Sequence, residues 1–160
     1  MEIYYNNIKV KKDDFLKPSE TQVKPEIKLN LNSDKYYTLI MYDPDSVGGT
    51  FVHWLVTNIK DNNINSGKTL IPYKGPAPPQ NTGKHRYIFE LYEQNKLINI
   101  ELERISISIN EIRKLLGLTN YIYKIKFISK NDFGGKRNKK ITKRKSRKIK
   151  NKRKTYKRKY

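Results

Sequence analysis

The chain contains 160 residues, a length that suits one domain with an appendage, and it contains no cysteine, which excludes disulfide bonds and thiolate chemistry. Of the formal net charge of +20, residues 136–160 contribute 16 Lys and Arg with no Asp or Glu, so residues 1–135 carry the remaining +4. The N-terminus lacks the basic start and apolar stretch of a signal peptide, and no apolar run approaches the ~20 residues of a membrane helix, so we expect a soluble, intracellular protein that is cytoplasmic or nuclear.

Alternating apolar and polar residues predict a chain built mainly of β-strands. Ile27, Leu29 and Leu31 alternate with polar neighbours, which is the pattern of a strand with one solvated face. Later segments that are apolar on both faces predict interior strands, and turn signals rich in Asn, Asp, Ser and Gly separate them. The predicted strands cover residues 27–31, 36–42, 51–59, 85–92, 98–103 and 121–128.

One helix and one long loop complete the predicted elements. Ser108 and Glu111 form a capping box, in which each side chain bonds the other residue's backbone amide, and Gly117 supplies the expected C-terminal stop. Residues 75–83 contain three prolines and no periodicity, which predicts an ordered loop. Short strands separated by turns are typical of an antiparallel β-sandwich.

The two histidines of the chain lie in motifs with other pocket-forming residues. Together with a pair of aspartates, the motifs are Tyr42-Asp43-Pro44-Asp45, Phe51-Val52-His53-Trp54-Leu55-Val56 and Pro78-Pro79-Gln80-Asn81-Thr82-Gly83-Lys84-His85-Arg86-Tyr87. Residues two apart on an extended chain point to the same side, so Asp43 and Asp45 are expected to face one site, as are His85 and Tyr87. Histidine is informative here because its charge can change near neutral pH.

These motifs, in this order, resemble those of the phosphatidylethanolamine-binding protein family. The resemblance runs from about Tyr36 to Gln94, is weaker to about Ile128, and does not extend beyond Phe133. It implies a Greek-key antiparallel β-sandwich with one or more short helices, and a pocket that accepts a small anion or a phosphoryl head group. The residues that match the family's binding positions are Asp43, His53, Pro79, His85 and Tyr87, while Asp45 matches the second motif aspartate and Phe51 an aromatic residue at the pocket mouth.

The connection between Asp45 and Phe51 departs from the family pattern. It has five residues, whereas many relatives have a longer segment containing proline and serine. Thr50 also stands where an acidic residue often precedes the aromatic. Kinase inhibition and flowering control, which relatives perform with surfaces outside the pocket, are not carried over to this chain.

An aspartate beside a bound anion needs a compensating positive charge, and the sequence leaves two sources open. A histidine that is protonated next to Asp43 makes the local charge neutral or positive. Alternatively, an ammonium group on the ligand meets the carboxylate, while the phosphate meets the histidines and backbone amides.

Two functions with stricter chemical requirements are disfavoured. Two Asp and two His could coordinate zinc. However, neither histidine has a second metal-ligating residue at the short spacing typical of zinc sites, and the resemblance implies no metal. Hydrolysis needs a nucleophile or an activated water, and Ser46 lies in a turn without the glycine–serine–glycine elbow of many hydrolases. We therefore expect a binding module, with no catalytic residue, metal or cofactor, rather than an enzyme.

Residues 134–160 are predicted to form a disordered basic tail after a folded domain at 1–133. Gly134-Gly135 is a natural hinge, and the charge repulsion and low apolar content of the tail favour disorder. Such a tail is expected to bind nucleic acid or another polyanion without sequence preference; a nuclear-localisation segment, a solubilising extension and a contact with anionic membranes are the alternatives. The candidate contact residues are Lys136, Arg137, Lys139, Lys140, Lys143, Arg144, Lys145, Arg147 and Lys148.

The sequence therefore supports two hypotheses and identifies no protein partner. The first is a module that binds a small anion or phosphorylated head group and carries a tail for polyanions. The second is a structural or packaging protein, for instance of a viral particle, that binds nucleic acid through its tail and retains only a vestigial pocket.

Overall fold

A computed structural model describes residues 1–102 and 108–131. The elements in these residues are β1 (Glu2–Tyr5), β2 (Ile8–Lys9), β3 (Glu26–Lys28), β4 (Tyr36–Asp43), β5 (Phe51–Ile59), β6 (Lys68–Ile71), β7 (Lys84–Gln94), α1 (Ile109–Leu116) and β8 (Tyr121–Lys130), with single-turn 3₁₀ helices at Pro18–Glu20 and Ile64–Ser66. The predicted tail at 134–160 and the domain boundary after Phe133 lie outside the described residues.

The strands form two sheets in which neighbouring strands run antiparallel. The smaller sheet has the order β2-β1-β3, and the larger one has the order β6-β5-β4-β7-β8. Phe15 forms a bridge with Ile128 of β8, so the N-terminal segment lies along part of the edge of the larger sheet. Antiparallel sheets with one short α-helix in the described residues confirm the predicted fold class.

The five-stranded sheet is the middle layer of the fold and buries side chains on both faces. On one face, residues such as Met41 and Trp54 form a core with the three-stranded sheet. On the other face, residues such as Ile40 and Leu55 form a second core with α1. Because both faces are covered, β4 and β5 are buried at nearly every position and lack the alternation of a half-exposed strand.

α1 begins and ends as the sequence predicts. The Ser108 hydroxyl accepts the N–H of Glu111, and the Glu111 carboxylate accepts the N–H of Ser108 at 2.8 Å. Gly117 has φ 65°, the left-handed conformation that commonly ends a helix. Ile112 and Leu116, one turn apart, are buried in the second core, so the helix covers that face of the sheet.

A buried carboxylate in β7 fastens α1 to the sheet. Glu90 is 0% exposed, and its Oε1 accepts hydrogen bonds from the Tyr42 hydroxyl at 2.9 Å and the Lys124 ammonium at 2.8 Å. Its Oε2 accepts from the Tyr92 hydroxyl and from Nη2 of Arg113, both at 2.5 Å. Burial alone raises the pKa of Glu90, but these hydrogen bonds outweigh it and lower the pKa, so the buried charge is fully paired.

The predicted strand at 98–103 is wrong over its described part, which contains no strand. The N–H of Ile98 donates to Oδ1 of Asn58 at 2.9 Å, and its carbonyl accepts from Nδ2 of Asn58 at 2.8 Å. Ile98 lies in the second core and Leu102 packs against it. The alternation of apolar and polar residues in this segment therefore reflects the burial of one side of the chain. The backbone at Ile98 bonds a side chain instead of a neighbouring strand.

Four other strands differ from the prediction. β1, β2 and β6 were not predicted, and β3 ends at Lys28, before the predicted end at Leu31. The proline-containing loop is confirmed, since residues 72–83 contain no strand or helix. None of the helices in the described part of the chain has both the length and the apolar composition to cross a membrane.

Candidate functional site

His85 and Asp43 form a buried pair between two adjacent strands. His85 is the second residue of β7 and Asp43 the last residue of β4, and the two are 1% and 3% exposed. Nδ1 of His85 lies 2.7 Å from Oδ2 of Asp43, while Oδ1 of Asp43 accepts the N–H of Asp45 at 2.8 Å. Because an ionised carboxylate only accepts hydrogen bonds, Nδ1 carries a proton toward Asp43. Nε2 is then the nitrogen whose protonation can vary.

Thr82 occupies the Nε2 side of the His85 ring. Its Oγ1 lies 2.7 Å from Nε2 and 2.8 Å from the carbonyl oxygen of Pro79. The hydroxyl has one proton to donate. If it donates to His85, the imidazole is neutral; if it donates to Pro79, Nε2 donates to Thr82 and the ring is a cation beside Asp43. The turn is therefore compatible with both charge states of His85.

His53 approaches the same region from β5. Its Nδ1 lies 2.6 Å from the carbonyl oxygen of Lys74, and its own carbonyl accepts the N–H of Lys74 at 2.8 Å. A carbonyl oxygen accepts only, so Nδ1 carries a proton. The rings of Phe51 and Tyr87 lie edge-on to the imidazole, with centroids at 4.8 Å and 5.1 Å. The ammonium of Lys74 is 5.3 Å from the centroid of Phe51, which places a cation near the predicted pocket mouth.

Tyr87 is the buried aromatic residue of the site. It is 1% exposed and its ring stacks on Phe127 with centroids 5.3 Å apart. Burial raises the pKa of the Tyr87 hydroxyl and the negative charge of Asp43 adds to this effect, whereas a hydrogen bond with the backbone of Ala77 acts in the opposite direction. Tyr87 therefore remains a neutral phenol at physiological pH.

Asp45 turns to a different partner from Asp43. Its carboxylate accepts hydrogen bonds from the side-chain atoms Nε and Nη2 of Arg86, at 2.8 Å and 2.6 Å. It also accepts the backbone N–H of Arg86 at 2.9 Å. The hydrogen bonds from the Arg86 side chain lower the pKa of Asp45. Asp43 and Asp45 were expected to face one site because residues two apart in a strand point to the same side. β4 ends at Asp43, so this expectation does not apply to Asp45. Asp45 thus clamps the start of β7 while Asp43 orients His85.

Pro79 adjoins two cavities. One of about 420 Å³ has a mainly apolar lining that includes Pro76, Ala77 and Pro78. A second, of about 160 Å³, has a more polar lining that includes Lys130. Pro79 lines both and His85 lines neither, so His85 does not open into them in this structure.

Most of the predicted binding residues form one cluster. Asp43, His53, His85, Tyr87 and Phe51 are linked by hydrogen bonds or ring contacts, as described above, and Pro79 joins them through Thr82. Their role in binding a ligand stays a prediction.

Sequence reasoning missed Thr82 and Lys74, which complete the hydrogen bonds of this cluster, and Arg86, which pairs with Asp45. Thr82 lies three residues before His85 in the same motif, so the sequence shows that the two residues are close in the chain but not that their side chains are in contact. Lys74 lies in the proline-containing loop and is used mainly through its backbone.

The described residues include neither a metal centre nor the predicted tail contacts. Within residues 1–102 and 108–131 there is no group of three or more His, Asp or Glu placed to hold a metal ion. The candidate contact residues from Lys136 to Lys148 lie outside the described residues.

Known proteins share both the sequence pattern and the fold. A 26 kDa secreted antigen of Toxocara canis is 36% identical over 105 residues, which are 62% of this chain and 40% of that protein, so the chain spans less than half the length of this relative. Because that relative is secreted, the predicted intracellular location stays a prediction.

Solved structures show the same architecture at lower identity. A carboxypeptidase Y inhibitor, in complex with its cognate proteinase, matches with a TM-score of 0.66 and 23% identity over 81% of this chain and 82% of that chain. A phosphatidylethanolamine-binding protein from Plasmodium vivax matches with a TM-score of 0.65 and 23% identity over 81% and 84% of the two chains. The family model for phosphatidylethanolamine-binding protein matches residues 6–124, and this chain belongs to that family.

Proposed function

We propose that this chain is a binding module that holds a small oxyanion or a phosphoryl head group at His53 and His85. The observation that carries the proposal is the orientation of His85 by Asp43, with Nε2 directed at the hydroxyl of Thr82. A ligand oxygen can take the place of that hydroxyl at Nε2. No covalent step is part of this function, and the module is not an enzyme.

The binding step exchanges one hydrogen bond for a stronger one. Thr82 is exposed and belongs to a turn in which Gly83 has φ 87°, so its side chain can leave His85 without disturbing a core. An anionic oxygen at Nε2 then favours the protonated imidazole, which donates to the ligand and to Asp43 at once. Hydrogen bonds between charged groups are roughly twice as strong as neutral ones.

The surroundings of Asp43 favour histidine protonation over a ligand ammonium as the compensating charge. Both carboxylate oxygens of Asp43 are engaged, one by His85 and one by the N–H of Asp45, and the residue is 3% exposed. An ammonium group would have to enter this buried region to reach the carboxylate. The phosphoryl oxygens, by contrast, need only displace Thr82.

Calorimetric titration with inorganic phosphate and with phosphoethanolamine tests this function. We expect saturable binding of both ligands, with comparable affinity because the ammonium adds little. His85→Ala should weaken binding by about 1–3 kcal/mol, the typical effect of losing a hydrogen bond to a charged group. Lys114→Ala, on the exposed side of α1, is the control and should bind as the wild type does. Absence of saturable binding by the wild-type chain contradicts the proposal.

A second function is proposed for the tail, because 16 of its 25 residues at 136–160 are Lys or Arg. Each phosphate that such a side chain neutralises releases counterions, so this segment is suited to nucleic acid or another polyanion. Under the alternative of a packaging protein, the tail binds nucleic acid and the pocket holds nothing. Native mass spectrometry of the purified full chain separates the two, since it reports bound small anions and bound nucleic acid by mass.

A further inference from the structure

Ser129 in β8 has a buried hydroxyl without a hydrogen-bond partner. Its side chain is 0% exposed, and its Oγ bonds no donor or acceptor among the residues that the structure describes. Leaving a buried hydroxyl unpaired destabilises a protein, and the large majority of buried side-chain polar atoms are paired. An exception such as Ser129 therefore needs a physical reason.

Other buried hydroxyls of the same sheet are paired. Thr38 in β4 and Thr57 in β5 are both 0% exposed. The Thr38 hydroxyl donates to Oε1 of Gln94 at 2.8 Å, and the Thr57 hydroxyl donates to the carbonyl of Lys68 at 3.4 Å. Thr38 lies near the start of β4, at the opposite end from Asp43. Ser129 differs from them in lying at the end of the sheet that carries the candidate site.

Ser129 lies directly opposite His85 across β7 and β8. The next pair in the register is Arg86 and Ile128. The N–H and carbonyl of Ile128 form hydrogen bonds with Asp14 and Leu16, so they point away from β7. His85 and Ser129 are consequently a hydrogen-bonded pair of the ladder, with Cα atoms about 5.5 Å apart. Directly paired residues place their side chains on one face of the sheet.

His85 is thus flanked on that face by two different neighbours. The order of strands is β4-β7-β8, so Asp43 lies on one side of it and Ser129 on the other. Asp43 is engaged with His85, whereas the Ser129 hydroxyl is unengaged. The side of His85 away from Asp43 therefore offers an uncharged donor.

We infer that Ser129 Oγ donates a hydrogen bond to the oxyanion bound at His85, as a second recognition point; the inference rests on the function proposed above. A tetrahedral oxyanion has several oxygens, so one can accept from Nε2 of His85 while another accepts from Ser129. A hydroxyl suits this position because it donates without adding charge and can rotate toward the ligand. The destabilising unpaired state of the free protein is relieved when the anion binds.

The Ser129→Ala variant separates this role from a structural one. Alanine fills nearly the same space and removes the hydroxyl alone. We expect phosphate to bind Ser129→Ala roughly tenfold more weakly than the wild type, the usual scale for a hydrogen bond to a charged group. Without phosphate, the melting temperature of Ser129→Ala should equal or exceed that of the wild type, because an unpaired buried hydroxyl has been removed.

Thr38→Val is the matched control. It also removes a buried hydroxyl from the sheet, but that hydroxyl is paired with Gln94. The control should melt at a lower temperature than the wild type and should bind phosphate with unchanged affinity. The two variants are thus expected to have opposite signatures in calorimetry and in thermal melting.

Each other outcome overturns the inference in a recognisable way. If Ser129→Ala binds phosphate as the wild type does, the inference fails and the proposed function stands. If Ser129→Ala melts as early as Thr38→Val, its hydroxyl has a structural partner and the inference fails. If the wild-type chain itself binds no phosphate, both the inference and the proposed function fail.

Discussion

Nδ1 of His85 lies 2.7 Å from Oδ2 of Asp43, although the two residues are separated by 42 positions in the chain. The contact joins the beginning of β7 to the end of β4 and is almost completely buried. It holds one nitrogen of the imidazole and leaves the other directed at Thr82. On the basis of this orientation we propose that His85 is a ligand-binding group.

The Asp43→Asn variant tests the orienting contact. An asparagine keeps the shape of the side chain but loses the charge that favours a protonated imidazole. We expect phosphate affinity, measured by calorimetry at neutral pH, to fall by about 1–3 kcal/mol. Asp34→Asn, an exposed aspartate in the turn before β4, should bind phosphate normally. Unchanged binding by Asp43→Asn would show that the carboxylate has no part in anion binding.

The Thr82→Val variant tests whether this hydroxyl competes with the ligand. Valine has a similar shape but makes no hydrogen bond to His85, so the ligand no longer has to displace one. We expect phosphate to bind about fivefold more tightly, corresponding to ~1 kcal/mol for the lost hydrogen bond. Thr82→Ser retains the hydroxyl and should bind like the wild type. Weaker binding by Thr82→Val would instead make Thr82 a ligand contact.

The buried cluster around Glu90 predicts how stability depends on pH. Its pKa is lowered in the folded protein, because hydrogen bonds from Lys124, Tyr92 and others outweigh burial. A lowered pKa means that the charged cluster stabilises the fold above the ordinary pKa of 4.5 and loses this contribution as the pH falls through the folded value. Urea unfolding should therefore show a falling free energy of unfolding below about pH 4.5.

Removing one member of this cluster should have a large effect at neutral pH. Arg113→Ala leaves part of the buried charge of Glu90 unpaired, and breaking a buried ion pair typically costs about 3–5 kcal/mol. The neighbouring Lys114→Ala, at an exposed position, should change the free energy of unfolding by less than about 0.5 kcal/mol. Equal effects of the two variants in urea unfolding would contradict the role assigned to Glu90.

The sequence predicted which residues belong to the site more successfully than it predicted how they pair. The resemblance of the motifs to the family pattern identified Asp43, His53 and His85, and the spacing of two along a strand placed His85 and Tyr87 on one face. The pairing of Asp45 with Arg86 was not predictable in this way, since β4 ends at Asp43 and the chain then turns.

Contacts that depend on strand register or loop conformation could not be predicted from the sequence. Ser129 is one polar residue in an alternating strand, and its place opposite His85 depends on how β7 and β8 align. The contact of Thr82 with His85 depends on the turn between Pro79 and Gly83. The fold class was predictable from alternation and turns, but the same alternation over the described residues 98–102 arose from packing without a strand.

The tail should bind DNA independently of the pocket. If half of the 16 basic residues at 136–160 contact phosphates, the log–log plot of duplex affinity against salt should have a slope near −7, from ~0.9 per phosphate. A chain truncated after Phe133 should keep a cooperative melting transition and lose nearly all DNA binding, while His85→Ala should bind DNA normally. A truncated chain with an unchanged salt slope would place the nucleic-acid site on the sandwich.

A phosphate titration, followed through the imidazole nitrogen resonances of the full chain, tests most directly whether His53 and His85 bind an oxyanion. We expect the signals of both His53 and His85 to shift together and saturate, with the larger change at Nε2 of His85, because that atom exchanges Thr82 for the ligand. Ring signals that stay unchanged at millimolar phosphate would contradict this binding role and leave the polar cluster with a structural role.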